Sequence, residues 1–306
     1  MYELTINAND SGQRLDKFLT KFMPSLPKSM LYKSLRKNCV KVNGKHIKTG
    51  EYMLCEGDNL KLYFKDEFFE SKKQTQNYGQ PLKKEHIVYE DDNIIIIDKP
   101  SGLVVHTDDE GDENTLVNML KSYLVSRGEY NPQNEHSFSP ALCNRLDKNT
   151  SGLVIAAKNA ASLRIINEKI KSREIKKFYL CVVEGHPEKD GVYEAHLIRD
   201  NKKVRISAHE TRDSKPIKTG YKVMQKLDKC SILEIELFTG RTHQIRAHMA
   251  YLGYPLLGDI KYGAKTKRKD YQALQSYKLK FDFDASTEQL GYLSGKEFVT
   301  RQNFEY

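Results

Sequence analysis

Five consecutive apolar residues, Leu153–Ala157, follow directly on an Asn-Thr-Ser-Gly turn and constrain this chain more than any other segment. An apolar run of four to eight residues, partly β-branched and bounded by a turn signal, reads as a buried strand. The stretch ahead of it, LCNRLDKNTSG from Leu142, is then a loop leading into a core strand, a setting in which chemistry concentrates. Its single acid is Asp147, with Arg145 and Lys148 on either side. Nearby positive charge favours the ionised carboxylate, which suits a nucleophile or base better than a general acid. A simpler reading stands beside this one on spacing alone: Asp147 and Asn149 make a turn by bonding their own backbone.

The chain of 306 residues is long enough for one large domain and a small one. Its formal charge of +9 points to a polyanionic partner without specifying a fold. The five cysteines are scattered singly with no CxxC pair, which argues against a zinc site and against a disulfide framework, and fits a reducing cytoplasm. No basic-then-apolar signal pattern opens the sequence and no apolar run approaches membrane-spanning length. The expectation is a cytoplasmic, monomeric protein with no membrane partner.

Residues 12–64 form a first unit. Leu15, Phe18, Leu19 and Phe22 recur at i, i+3, i+4 and i+7, the stripe of an amphipathic helix. After Pro24 and Pro27, Leu31 and Leu35 mark a second helix, with Lys33, Arg36 and Lys37 on one face. Asn43-Gly44 between alternating residues is a type I′ hairpin signal, and a strand follows from Asn59 to Phe64. This unit carries eleven Lys or Arg against four Asp or Glu, so +7 of the +9 sits in under a fifth of the chain. One charge run alone usually means a solvated face. Segregation on this scale favours a phosphate backbone, with Lys28, Lys33, Arg36 and Lys37 as the expected RNA contacts. Asp16 reads as structural. Residues 66–85 are polar, rich in Gln and Lys and without periodicity, a linker composition that predicts relative domain movement.

From His86 the pattern is β-rich. IVYEDDNIIIIDKPSGLVVH predicts two strands joined at Glu90–Asn93, then a Pro-Ser-Gly turn and a third strand ending at His106. A helix over Thr115–Tyr123 is capped by Asn114 or Thr115, and another runs from an Asn159 cap to about Lys171 with Leu163, Ile166 and Ile170 along one side. REIKKFYLCVVEG leads into a strand carrying Tyr179, and residues 202–225 hold two more strands. Leu233–Phe238 alternates as a strand, and Thr239-Gly240 turns into a helix over about Thr242–Leu252. His243 and His248 on that helix are five residues apart with no acid between them, which does not match the i, i+4 pair of zinc proteases. We read no metal there. Read without other information, Tyr179 is a strand tyrosine and Arg246 a partner for any surface acid.

Three segments together resemble one family. RLDKNTSGL, the KKFYLCVVEG strand and GRTHQIRAHMAYLGYPLLGD are similar, in this order, to the signatures of RluA-type pseudouridine synthases. The family usually has histidine where Asn144 stands. GQRLDKFL, the Pro-containing gap, VKVNGK and EGD resemble an αL-type RNA-binding domain of the kind found in a ribosomal small-subunit protein. The resemblance implies an α+β chain: residues 1–65 an αL-type domain of helices and a β-hairpin, 66–85 a linker, and 86–306 a pseudouridine synthase fold with a mixed, mainly antiparallel sheet flanked by helices. It implies Asp147 as catalytic nucleophile and Arg246 as its ion-pair partner. Tyr179 and Ile245 would lie against the uracil, and Arg145 would fill the gap left by the extruded base. The implied reaction isomerises uridine in structured RNA without a cofactor, with large-subunit ribosomal RNA or a pre-ribosomal particle as the expected partner. Transfer RNA as substrate, or a non-catalytic ribosome-assembly factor, are the alternatives.

Overall fold

The computed structural model describes residues 1–69, 78–106, 114–200, 203–266, 271–304 and 306. The first unit comprises β1 (Tyr2–Thr5), α1 (Leu15–Phe22), α2 (Lys28–Arg36), β2 (Val40–Val42), β3 (Lys45–His46) and β4 (Asn59–Leu62). Its sheet has the order β1-β4-β2-β3. The predicted α1 stripe is buried as read, and Asn43 and Gly44 have φ of 50° and 80°, the double positive φ that a type I′ turn requires. Asp16 is buried, paired with Arg14 and hydrogen-bonded by the Tyr32 hydroxyl. This unit closes its own apolar core around Phe18, Leu35 and Leu60.

The second unit is built on β5 (Ile87–Glu90), β6 (Ile94–Lys99), α3 (Leu116–Ser126), β7 (Ala141–Leu142), β8 (Ser151–Ala157), α4 (Ala160–Lys171), β9 (Ile175–Glu184), β10 (Gly191–Asp200), β11 (Lys203–Ser207), β12 (Ser214–Lys226), β13 (Cys230–Leu237), α5 (Gln244–Tyr251), β14 (Leu274–Phe281) and β15 (Glu297–Val299). Eleven strands form one sheet in the order β11-β10-β12-β13-β9-β14-β8-β6-β5, with β15 beside β14 and β7 beside β8. The β14–β8 pair is parallel and the remaining pairs are antiparallel, so the sheet is mixed and mainly antiparallel.

The continuous apolar runs of β6 and β8 follow from burial on both faces. Ile95, Ile97, Val154 and Ala156 enter one core with α3 and α5; Ile94, Ile96, Leu153 and Ile155 enter a second with α4 and Phe281. All five isoleucines are fully buried, worth roughly 1.5–3 kcal/mol each. The Thr-Ser-Gly turn has its own steric reason. Gly152 has φ of +105° and lies against β14, where an added Cβ would sit 2.1 Å from the carbonyl oxygen of Ser276. A side chain there collides with backbone that cannot retreat without breaking the sheet.

Four expectations are corrected. The third strand ending at His106 is absent among the described residues: Val104 makes a single bridge to Thr115, and the Val104 and Val105 carbonyls accept from Leu116 and Val117. Its backbone satisfies the start of α3 instead of a sheet. The helix α5 begins at Gln244, because His243 takes a left-handed φ of 54° and ends the preceding turn. α3 extends to Ser126, with Thr115 accepting from the Asn118 amide as its cap. On α4 the buried side chains are Ala160, Ser162, Ile165 and Ile166, while Leu163 and Ile170 are half-buried. The Asn159 cap is present.

The stretch read as a linker falls partly outside the described residues, which omit 70–77. Of its remainder, Tyr78 and Leu82 are buried in the core shared with α3, and the Leu82 amide donates to the Met119 carbonyl. Contacts between the two units include hydrogen bonds, in which Asp10 accepts from the amide and hydroxyl of Ser137, Gln13 donates to Ser137 and Asn9 bonds both Glu135 and the Ala160 amide, and an edge-on meeting of the Phe22 and His136 rings.

Gly152→Ala is expected to destabilise the fold by ~3 kcal/mol or more, through the strained φ and the clash with β14. A wild-type urea midpoint for this variant would refute the account.

Candidate active site

The loop between β7 and β8 is fixed at both ends. At its start the backbone leaves β8 but the side chain of Asn144 does not. Its Oδ1 accepts from the Ile155 amide at 2.8 Å and its Nδ2 donates to the Leu153 carbonyl at 3.3 Å. The carboxamide thus imitates one more residue of strand, a geometry open to asparagine, which carries donor and acceptor in one plane. At the far end the Thr150 amide donates to the Asp147 carbonyl, and Thr150 Oγ1 accepts from Gln272.

A buried lysine anchors the middle. Lys99, wholly inaccessible at the end of β6, donates to the carbonyls of Pro100, Leu103 and Lys148 at 2.9–3.0 Å. Burial pushes its ammonium down to about 7, and the charge of Asp147 opposes that shift. The Gly102 amide also donates to the Lys148 carbonyl and the Ser101 hydroxyl to that of Asn149. Lys99 and the Pro-Ser-Gly loop therefore brace the Asp147 loop through two of its backbone carbonyls, those of Lys148 and Asn149. Lys99 was not singled out from sequence; its place in DKPSG was the signal.

Asp147 itself is 26% exposed, open to a ligand at the surface of this frame. Its Oδ2 accepts from Arg246 Nη1 at 3.1 Å. The same guanidinium is held from behind by Asp259, with Nε to Oδ2 at 2.7 Å and Nη2 to Oδ1 at 2.8 Å. This bidentate fork fixes the plane of Arg246 and leaves Nη1 directed at Asp147. Burial works to lower the Arg246 pKa, but the hydrogen bonds and charge of Asp259, then the charge of Asp147, raise it on balance, so the cation is permanent. Tyr262 lies under Arg246, with its ring centroid 5.1 Å away. Asp259 and Tyr262 were not singled out from sequence, although Asp259 closes the Gly-Asp end of the quoted motif.

The other polar residues of the α5 segment are architectural. Gln244 Oε1 accepts from the Arg241 amide and the Thr239 hydroxyl, while its Nε2 donates to the carbonyl and hydroxyl of β12 residues Lys218 and Thr219. His248, fully buried, bonds Thr219 through Nδ1, and burial pushes its pKa down to about 4. His243 bonds the Tyr262 hydroxyl and stands 3.8 Å from Asp147, too far for a hydrogen bond. Burial lowers its pKa; the charge of Asp147 opposes this and that of Arg246 adds to it. Among the described residues no group of three or more His, Cys, Asp or Glu is arranged to hold a metal ion.

Of the residues singled out from sequence, Asp147 and Arg246 are in direct contact. Tyr179 and Ile245 are buried in one apolar cluster, and burial holds the Tyr179 phenol well above its usual pKa, with Asp147 adding to the effect. Arg145 is exposed, with no hydrogen bond or ion pair to a described residue. Lys28, Lys33, Arg36 and Lys37 are all exposed in the first unit, but Lys28 lies about 140° around α2 from Lys33. It does not share the face of the other three.

Residues 93–251 match the family model described as RNA pseudouridylate synthase, and residues 13–60 match the S4 domain. The chain is 35% identical to ribosomal large subunit pseudouridine synthase D of Nitrosomonas europaea over 85% of its length and 72% of that protein. It is 33% identical to ribosomal large subunit pseudouridine synthase C of Vibrio parahaemolyticus, over 94% of this chain and 82% of that one. An uncharacterized RNA pseudouridine synthase of Mycoplasma capricolum is 31% identical over 98% and 97%. The structure of human RNA pseudouridylate synthase domain containing 4 aligns with a TM-score of 0.56 at 21% identity, covering 71% of this chain and 88% of that one, and shares the fold.

Asp259→Ala is expected to cost ~3–5 kcal/mol in urea unfolding, since it leaves Arg246 buried with half of its anionic shell removed. A loss below ~1 kcal/mol would show that the fork is not what holds Arg246.

Proposed function

The chain belongs to the RNA pseudouridylate synthase family, and from that premise we propose that it converts a specific uridine of large-subunit ribosomal RNA to pseudouridine, with Asp147 as the catalytic group. The observation that carries this reading is the Asp147–Arg246 contact at 3.1 Å, on a carboxylate that is open to solvent. The ribosomal target is supported by the relatives from Nitrosomonas and Vibrio, both named ribosomal large subunit pseudouridine synthases. We also place the protein in the cytoplasm, as a monomer, and take residues 1–65, 66–85 and 86–306 as RNA-binding unit, linker and catalytic unit. No helix among the described residues is long and apolar enough to cross a membrane.

The reaction breaks the bond from N1 of uracil to C1′ of ribose, turns the base, and joins C5 to C1′. N1 gains a proton and C5 loses one, so atoms and electrons balance within the nucleotide and the chemistry asks for no redox group or carrier. Asp147 attacks the sugar or the base, or abstracts a ribose proton; each route needs an ionised, oriented carboxylate. Arg246 supplies both conditions in this reading. A base within a helix is out of reach, so the uridine must be extruded. Tyr179 and Ile245 then lie against the uracil, and Arg145, exposed and uncommitted to any described partner, takes the vacated space in the stack. An assembly factor without catalysis has no need of a carboxylate held this way.

Two measurements test the proposal. Ribosomal RNA tritiated at C5 of uridine should release tritium to water with wild-type protein and not with Asp147→Asn, whose RNA affinity should stay within about threefold, less than ~1 kcal/mol. A fully active Asp147→Asn variant overturns the assignment; release from transfer RNA alone moves the target. Replacing Lys28, Lys33, Arg36 and Lys37 together by Ala should weaken RNA binding and lower the slope of log K against log salt by up to ~3, at 0.7–0.9 per phosphate contact. An unchanged slope would remove this face from the RNA interface.

A further inference from the structure

A second cavity adjoins the Asp147 loop without sharing Asp147, Tyr179, Ile245 or Arg246. It encloses about 380 Å³, within the range of small-ligand pockets. Asn149 and Ser151 of the Asp147 loop line it, together with Asn303 and Phe304. Asn149 is two residues from Asp147, so their Cα atoms are at most ~7 Å apart. Whatever occupies the cavity is therefore a neighbour of whatever Asp147 attacks.

The lining identifies the ligand chemistry. Every described lining residue is uncharged at neutral pH, in a chain whose formal charge is +9. A phosphate site would draw on those cations, and a cation site on carboxylates. Here the polar groups are carboxamides and hydroxyls. The side chains of Asn149, Ser151, Tyr271 and Asn303 make no hydrogen bond to any described residue, although other liners are committed: Gln272 to Thr150, and Gln302 to Asp98 and the Lys99 carbonyl. The committed groups build the walls and leave the uncommitted donors and acceptors for a ligand. Two aromatic rings, Tyr271 and Phe304, complete the lining. Planar amides together with aromatic faces complement a nucleobase, which offers donors and acceptors at its edge and a π-surface on each side.

We propose that this cavity receives a second base, extruded from the RNA next to the target uridine and stacked against Phe304. The proposal rests on the function given above and adds a determinant of which uridine is chosen. A uridine then qualifies when its neighbour can also leave the stack and reach the cavity. The catalytic loop sits between the two bases, with Asp147 toward one and Asn149 toward the other.

The test uses the full-length protein and a ribosomal RNA fragment in which the wild type forms pseudouridine. Phe304→Ala and Asn303→Ala would be assayed separately on this fragment and on versions abasic at each position flanking the target. Phe304→Ala should raise KM roughly 5- to 150-fold, equivalent to ~1–3 kcal/mol of lost stacking, with kcat within threefold. One abasic position should produce the same rise, and Phe304→Ala should add nothing further on that RNA. Asn303, exposed in the tail, gives a second variant whose fold is not at risk, with a smaller KM rise expected at the same position. Additive effects of Phe304→Ala and every abasic site, or unchanged KM in both variants, overturn the base pocket while leaving the isomerase reading intact. Wild-type protein that forms no pseudouridine in any ribosomal or transfer RNA overturns both.

Discussion

One guanidinium shared by two carboxylates is the interaction on which the site depends. Asp259, almost wholly buried, takes two of the donors of Arg246 in a planar fork and leaves a third for Asp147. The two acids do different work because their surroundings differ. Asp259 is enclosed and can only hold; Asp147 is partly open and can meet a substrate. A lysine in place of Arg246 would supply the charge but not the fork, so its ammonium could pivot toward either acid. A partly buried ion pair adds little net stability, because desolvation offsets much of the attraction. Here the arrangement fixes the orientation of a charge, and orientation is what the role proposed for Asp147 requires.

That orientation has to be delivered by the sheet from two directions. Arg246 comes from α5, which is bound to β12 through Gln244 and His248, both of them meeting Thr219. Asp147 comes from the loop before β8, bound to the sheet by Asn144 and braced from β6 by Lys99. The parallel step from β8 to β14, which admits only glycine at position 152, brings the loop next to the strand that also borders Tyr179. Gln244, Asn144 and Lys99 are polar groups hydrogen-bonded inside a packed core. A partly satisfied version of any of them would cost more than an apolar replacement.

Local elements were legible where periodicity or turn chemistry is strong. The α1 stripe, the Asn43-Gly44 turn, the Asn159 cap and the buried run after Thr-Ser-Gly all follow from neighbours in sequence. The misses share one physical origin. Val104 and Val105 have the composition of a strand, but their carbonyls are taken by the first turn of α3, a competition that β-propensity does not register. His243 lies in a helical pattern yet adopts the left-handed region, where a side-chain bond to Tyr262, nineteen residues on, holds it. In the site, Asp147 and Arg246 were found through a resemblance of motif. Lys99 and Asn144 were given no role because their partners are backbone carbonyls and amides brought close by the sheet, whereas Asp259 meets the Arg246 side chain thirteen residues before it. A side chain whose partner is backbone leaves no partner residue to search for in the sequence.

The two units divide the recognition problem in a physically sensible way. The first closes a core of its own and is hydrogen-bonded to the second, so in the proposed function its exposed cations engage a backbone without disturbing the frame around Asp147. Contacts of that kind supply affinity and carry no sequence information. In the proposed function selectivity arises at the Asp147 loop, where a base is unstacked at a cost of a few kcal/mol that varies with its surroundings. A uridine in a loop or bulge costs less to extrude than one in a continuous helix, so the RNA's own structure does part of the discrimination. The protein's share is to hold Asp147 in one place. A carboxylate free to swing would accept bases presented in several poses; one pinned by Arg246, Asn144 and Lys99 accepts only the pose that the RNA fold can deliver.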